Sequence, residues 1–210
     1  MANLIVLEER EVKPKGLNPQ NKVDEEKLRG YFFDEDYEKL KLLQEVPRFD
    51  HSFEQTTLFY PGCGADIFYP LHYLELFPKL KEINFILVDE NDSFGLIKTQ
   101  LDEVGISFEE ERKNKNKIKF YWEDKLVNLE FIKEYIKKAF PKIPQYHIYF
   151  EKAFRIMREH IPYYEQSVFD KLASGGVIIS DSGFEEVEME RISVPLELSS
   201  YGEMVMGRKK

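Results

Sequence analysis

Leu58-Phe59-Tyr60-Pro61-Gly62-Cys63-Gly64-Ala65-Asp66 is the stretch around which the chain is organised. An apolar run enters it, two glycines turn it, and a helical pattern leaves it. The reading is strand, glycine loop, helix N-terminus. Gly62 and Gly64 can take positive φ and carry no Cβ, so backbone there can approach a ligand closely. The free N–H groups of a helix starting just beyond them would point at that ligand, and the helix dipole favours negative charge there. A polar small molecule is the expected occupant. A glycine turn that merely joins a strand to a helix has the same sequence.

Working outward, residues 1–23 carry Pro14, Pro19 and mixed charge and read as an arm, with a short edge strand at residues 4–7. From Asp24, a capping residue, Leu28, Phe32, Leu40 and Leu43 predict one helix that Pro47 ends. It is either a lid or a cover for a sheet edge. Domain organisation follows: an N-terminal arm and helix over 1–50, then an α/β domain over 51–210. Downstream of the glycines, Ile67, Phe68, Leu71, Leu74 and Phe77 recur at helical spacing until Pro78. Residues 83–88 form a buried apolar strand followed by Asp89-Glu90-Asn91-Asp92. Phe94, Ile97, Leu101 and Val104 predict a helix that Gly105 closes. Residues 118–122 alternate as the next strand, with a second at 126–131 paired through a turn at 123–125. A helix over 132–140, a strand at 146–150, a helix over 164–172 and a strand at 177–180 follow. Two tail strands are expected at 192–198 and 203–207. This order of alternating strands and helices predicts an α/β fold. Its central sheet is mainly parallel, with helices on both faces and a C-terminal antiparallel strand pair. In such folds ligands bind beyond the carboxyl ends of the strands.

The chain has 210 residues, of which 42% are hydrophobic and 33% charged, a globular composition. A net charge of -9 argues against a nucleic-acid coat or a binder of anionic membranes. No run reaches the roughly 18 apolar residues of a membrane span. No signal peptide is evident, and the expected location is the cytoplasm. Cys63 is the single cysteine, so no internal disulfide forms. His51, His72, His147 and His160 lack metal-ligand spacing, and no metal site is expected. Ser182 lacks the G-x-S-x-G elbow of hydrolases.

The glycine loop Pro61-Gly62-Cys63-Gly64, the acid-ended strand Ile86-Leu87-Val88-Asp89, the turn and strand Gly175-Gly176-Val177-Ile178-Ile179 and the final Glu203-Met204-Val205-Met206-Gly207 come in a telling order. In that order they resemble the class I S-adenosylmethionine-dependent methyltransferases, from about residue 56 onward. The resemblance implies a Rossmann-like fold with S-adenosylmethionine as cofactor. Tyr60, Gly62, Cys63 and Gly64 would pass under the cofactor. Asp89 would accept from its ribose hydroxyls, a task suited to two acceptor oxygens. Glu90 and Asn91 would lie near the adenine, and Glu123 or Asp124 would meet its amino group. Glu151 and Lys152 would face the transfer centre, with Glu151 and Asp181 as candidate bases.

Two departures matter. Phe59 and Tyr60 stand where that family usually has an acid, and Asp66 stands in place of a third glycine. Asp66 either meets the cofactor's ammonium group or stabilises the helix N-terminus. The implied function is methyl transfer to a small-molecule or protein acceptor. The sequence lacks the Asn/Asp-Pro-Pro-aromatic signature, so nucleic-acid bases are disfavoured as acceptors. The alternative is a non-catalytic ligand-binding or regulatory protein on the same scaffold. A dinucleotide enzyme would need G-x-G-x-x-G, but positions 62, 64 and 67 read Gly, Gly, Ile.

Overall fold

The computed structural model describes residues 7–50 and 55–210. Apart from Leu7, the edge strand expected at residues 4–7 lies outside them, as does His51. The chain opens with α1 (Glu25–Arg29), α2 (Asp34–Leu40) and a 3-10 turn. Then come β1 (Thr56–Pro61), α3 (Phe68–Tyr73), β2 (Glu82–Asp89), α4 (Phe94–Glu103), β3 (Phe108–Glu111), β4 (Asn114–Trp122) and β5 (Lys125–Lys133). The second half comprises α5 (Ile136–Ala139), β6 (Tyr146–Glu151), α6 (Arg155–Glu159), α7 (Tyr164–Lys171), β7 (Leu172–Ser180), β8 (Glu190–Ile192) and β9 (Val205–Arg208).

Nine strands of the described residues form one sheet in the order β3-β4-β5-β2-β1-β6-β7-β9-β8. The centre is parallel: β5, β2, β1, β6 and β7 run the same way. Both flanks are antiparallel, through β3 and β4 on one side and β9 and β8 on the other. From β1 the chain steps outward to β2 and β5. It then returns to β6, beside β1, and steps the other way to β7. The strand order therefore reverses between β1 and β6, the place where open α/β sheets leave a crevice at their carboxyl edge.

Alternation along the strands builds two cores. Leu58, Tyr60, Phe85, Leu87, Ile148 and Phe150 face the larger one, with Phe68 and Leu71 of α3 and Ile97 and Leu101 of α4. Phe59, Ile86, Val88, Tyr149 and Ile178 face the other, with Ala139 of α5 and Tyr164 and Val168 of α7. Crossovers of constant hand change face when the chain changes direction, which accounts for helices on both sides.

Several elements differ from the sequence expectation. The helix expected from Asp24 to Pro47 is two short helices and a 3-10 turn, because α1 ends at Gly30 and the extended backbone of Phe33 breaks the chain before α2 begins. Asp24 does cap α1, accepting from the Lys27 N–H at 3.2 Å. The third parallel strand is β5 and not residues 118–122. Glu123, at φ 52°, reverses the chain, so Trp122 pairs with Lys125 and β4 runs antiparallel. β5 then extends through Ile132 and Lys133, which pair with Val88 and Asp89, and this shortens the helix expected over 132–140. The tail strands are adjacent and antiparallel but lie at 190–192 and 205–208, and antiparallel pairing is not confined to the C-terminus. Among the described residues no helix is long and apolar enough to cross a membrane.

Candidate functional site

The carboxyl ends of β1 and β2 are tied together. Beyond Pro61, the Gly62 and Cys63 N–H groups donate to the Val88 carbonyl at 2.7 and 3.4 Å. The Gly64 N–H donates to Asp89 Oδ2 at 2.8 Å, and Asn91 donates to Oδ1 from its backbone N (2.8 Å) and Nδ2 (3.2 Å). The Asp66 N–H closes a turn onto the Cys63 carbonyl at 2.8 Å. These loop amides are thus satisfied internally, and at the start of the helix beyond them the Tyr69 N–H is taken up by Asp66. What the site offers instead is a buried carboxylate, Asp89, at the edge of a crevice.

The two glycines have different surroundings. Gly64, at φ 52°, faces open space, and a Cβ there would meet no atom within 4 Å. A Cβ on Gly62, at φ 62°, would lie 2.3 Å from the Phe154 ring. Packing against Phe154 explains Gly62; a ligand approaching the backbone would do so at Gly64.

Two cavities flank Gly62 and Asp89. One of about 280 Å³ is lined by Val88, Glu90, Asn91, Ile136, Phe154 and Ile161, among others. Exposed Tyr135 borders it, and a hydrogen bond to Glu90 raises its phenol pKa. The other, of about 420 Å³, lies over the loop between Tyr60, Gly64, Asp66, Tyr69, Gln100 and Lys152. The second falls within the roughly 300–1,000 Å³ usual for ligand pockets, and the first is close to it.

Tyr60 is buried and donates to Asp66 Oδ2 at 2.9 Å. Asp66 Oδ1 accepts the Tyr69 N–H at 3.2 Å, so it caps the start of α3, as the helix-terminus reading of this acid expected. Burial pushes its carboxyl up to about 6 against the pull of Lys152 and Tyr60. Lys152 Nζ sits 4.1 Å from the Tyr69 ring centre. Cys63 is buried, which pushes its thiol well above the ordinary range and away from nucleophilic use.

Glu151 and Asp181 do not face this cavity. Glu151 is 1% exposed and accepts from Tyr149 (2.5 Å), Ser180 (2.5 Å) and Arg158 (2.7 Å). Burial raises its carboxyl to about 7, and Arg158, Ser180 and Tyr149 oppose that rise. Asp181 accepts the Ala153 N–H with both oxygens, at 2.9 and 3.1 Å. It thereby holds Ala153 at φ 54°, strained for a residue with a Cβ, right after β6. Both acids brace the β6–α6 turn through these bonds. Ser182 lines a separate cavity of about 670 Å³ beside α6, with Arg155, Arg158 and Glu203.

Asp124 is not brought to the others. β5 begins opposite the start of β2, so the 123–124 turn lies at the amino edge of the sheet, where Asp124 pairs with Lys81 and Lys125. The residues that follow the true third parallel strand are Glu134 and Tyr135, and they border the smaller cavity. Sequence reasoning missed them because it ended that strand at the hairpin turn. It also missed Phe154 and Gln100, whose types carry no site signal.

No protein-family model and no curated protein matches the chain. Among solved structures, the chain is similar to the O-methyltransferase TomG from Streptomyces achromogenes in complex with S-adenosylmethionine. Identity is 12%, coverage is 70% of this chain and 54% of that one, and the TM-score is 0.37. It is also similar to MnmC2 from Aquifex aeolicus, at 11% identity, 85% and 57% coverage and a TM-score of 0.42. A hypothetical protein from Thermus thermophilus is similar along 100% of this chain and 99% of its own, at 11% identity and a TM-score of 0.40. The chain spans just over half the length of the first two.

Proposed function

We propose that the chain binds S-adenosylmethionine across Gly64 and Asp89 and directs its methyl group to a small-molecule or protein acceptor. One observation carries this reading. The glycine-loop amides point inward while Asp89 presents a carboxylate between two cavities. That pattern suits a ligand with hydroxyl donors and no phosphate, a nucleoside rather than a nucleotide. Asp89 Oδ2 accepts one bond in this structure and has a lone pair left for a hydroxyl. The smaller cavity has apolar walls for a flat ring, from Val88, Ile136 and Phe154, and polar edges at Glu90 and Asn91. Asp66 is the acid on the loop side, where an ammonium group would find it.

When bound, the cofactor supplies an electrophilic methyl on a sulfonium. The protein's task is to align the acceptor and keep water out. Within the larger cavity Asp66, whose carboxyl burial raises to about 6, is placed to take up a proton. The inward-turned Glu151 and Asp181 are not.

A second reading, a binding module without catalysis, is favoured by the Tyr60–Asp66 hydrogen bond. If that bond persists with ligand present, the acid is unavailable to it. Thermal unfolding with S-adenosylhomocysteine tests the proposal. At ~100 times Kd the stabilisation is about 2.7 kcal/mol, roughly 5–10 °C for a chain of this size. Absence of a shift at millimolar ligand sinks the reading. A shift without methyl transfer from S-adenosylmethionine to any of a panel of acceptors favours the binding module.

A further inference from the structure

Gln100 is a side chain that the loop chemistry leaves unused. It lies on α4 and is 4% exposed. It borders the cavity over Gly64 and also an adjoining chamber of about 330 Å³ beside Leu7, Tyr31 and Glu103. Its neighbour Thr99 is engaged with Gly95 and Arg10. The Gln100 amide makes no hydrogen bond among the described residues. Its amide opens into this cavity, where its donor and acceptor are available to a ligand.

We propose that Gln100 reads a small uncharged ring bearing an amide-type edge, a hydrogen-bond donor beside an acceptor, bound where α4, residues 31–33 and the glycine loop meet. A primary amide offers donor and acceptor in one plane, and its best complement is another amide edge. Tyr31, Phe33, Phe68 and Leu7 give the cavity flat, apolar walls. Phe33 and Leu7 are 51% and 38% exposed at its mouth, surface that a ring would cover. Asp66 and Asp89 line the same cavity and Glu103 the adjoining one, against a single lysine, Lys152. That field disfavours a carboxylate or phosphate. A cation would pair with the acids and leave the amide idle. Carboxamides, lactams and nucleobase-like rings meet all these conditions. As an acceptor class this rests on the methyl-transfer reading; as a binding site it does not.

The test is side-chain amide NMR on the full 15N-labelled chain, titrated with benzamide, acetophenone and benzoate. The three share a shape and differ in the edge. Benzamide is expected to shift the Gln100 amide pair, identified by its loss in Gln100→Leu, and to bind about tenfold tighter than the other two. In Gln100→Leu the preference should vanish. Gln100→Glu, of nearly the same size, should weaken benzoate further, and it serves if the leucine variant does not fold. Equal binding of all three to the native chain, or a benzamide response that leaves the Gln100 pair unmoved, overturns the proposal. Repeating the titration with S-adenosylhomocysteine separates the two readings. A benzamide preference without any response to S-adenosylhomocysteine keeps this site and removes the cofactor. The reverse pattern removes this site alone.

Discussion

Gly62 and Gly64 take nearly the same backbone conformation for different reasons. An alanine at 62 must displace the Phe154 ring as well as hold φ at 62°. Gly62→Ala is expected to cost about 2–4 kcal/mol in urea unfolding. Gly64→Ala meets no atom and should cost about 1–2 kcal/mol from backbone strain alone, yet abolish the thermal shift by S-adenosylhomocysteine. Asp66 makes a second prediction. Its carboxyl is raised from 3.8 to about 6 by burial. Between those values the folded chain keeps a proton that the unfolded chain has released, so stability falls as pH rises through the window. The loss is about 3 kcal/mol, and thermal scans from pH 4 to 7 should show it flattened in Asp66→Asn. At this scale Gly62, Gly64 and Asp89 were legible in the sequence, because glycines after one strand and an acid after the next leave a pattern. Glu151 and Asp181 were placed correctly along the chain, but position after a strand does not say which way a side chain turns. Gln100 was invisible, since a glutamine in a helical stretch reads as solvated surface.

Helix α6 has only five residues and exposes Ile156 and Met157, so packing of its own face does not hold it. Arg158 does. Its guanidinium donates to Glu151 and to the Ser182 and Gly183 carbonyls at 2.6–2.8 Å, joining α6 to the ends of β6 and β7. Arg158→Met leaves Glu151 buried without its cation and should cost about 3–5 kcal/mol. Adding Glu151→Gln should restore part of that, and hydrogen exchange at residues 153–160 should report the loosening. The long apolar strands β2 and β7 and the helix α4 were read correctly in type from apolar runs and spacing. In the 118–133 region the two strands and the turn that pairs them were also read correctly, but not which of the two joins the parallel centre, because a hairpin's apolar pattern does not say which strand meets β2. Only the pairing of β5 with β2 decides it.

At the scale of the whole molecule, the N-terminal helices share the core of the sheet. Leu28, Phe32, Leu40, Leu43 and Val46 are buried in the same core as Leu58, Tyr60 and Phe85. Asp36 of α2 accepts from Tyr69 and Ser200, each at 3.0 Å, so the N-terminal helices are bonded to both α3 and the tail. A fragment starting at residue 51 is therefore expected to lack the dispersed NMR signals that the full chain shows. The sheet also carries a kinetic consequence. Within the β3–β4–β5 ladder the partners are near neighbours in sequence, as in Trp122 with Lys125. β1 and β6 pair Leu58 with Ile148, far apart along the chain. Loop closure makes distant pairings slow to form. The antiparallel flank can zip early, and the junction of β1 with β6 must wait for nearly everything between them. The crevice opens at that junction, so the place where a ligand would sit is expected to be the last part of the sheet to assemble.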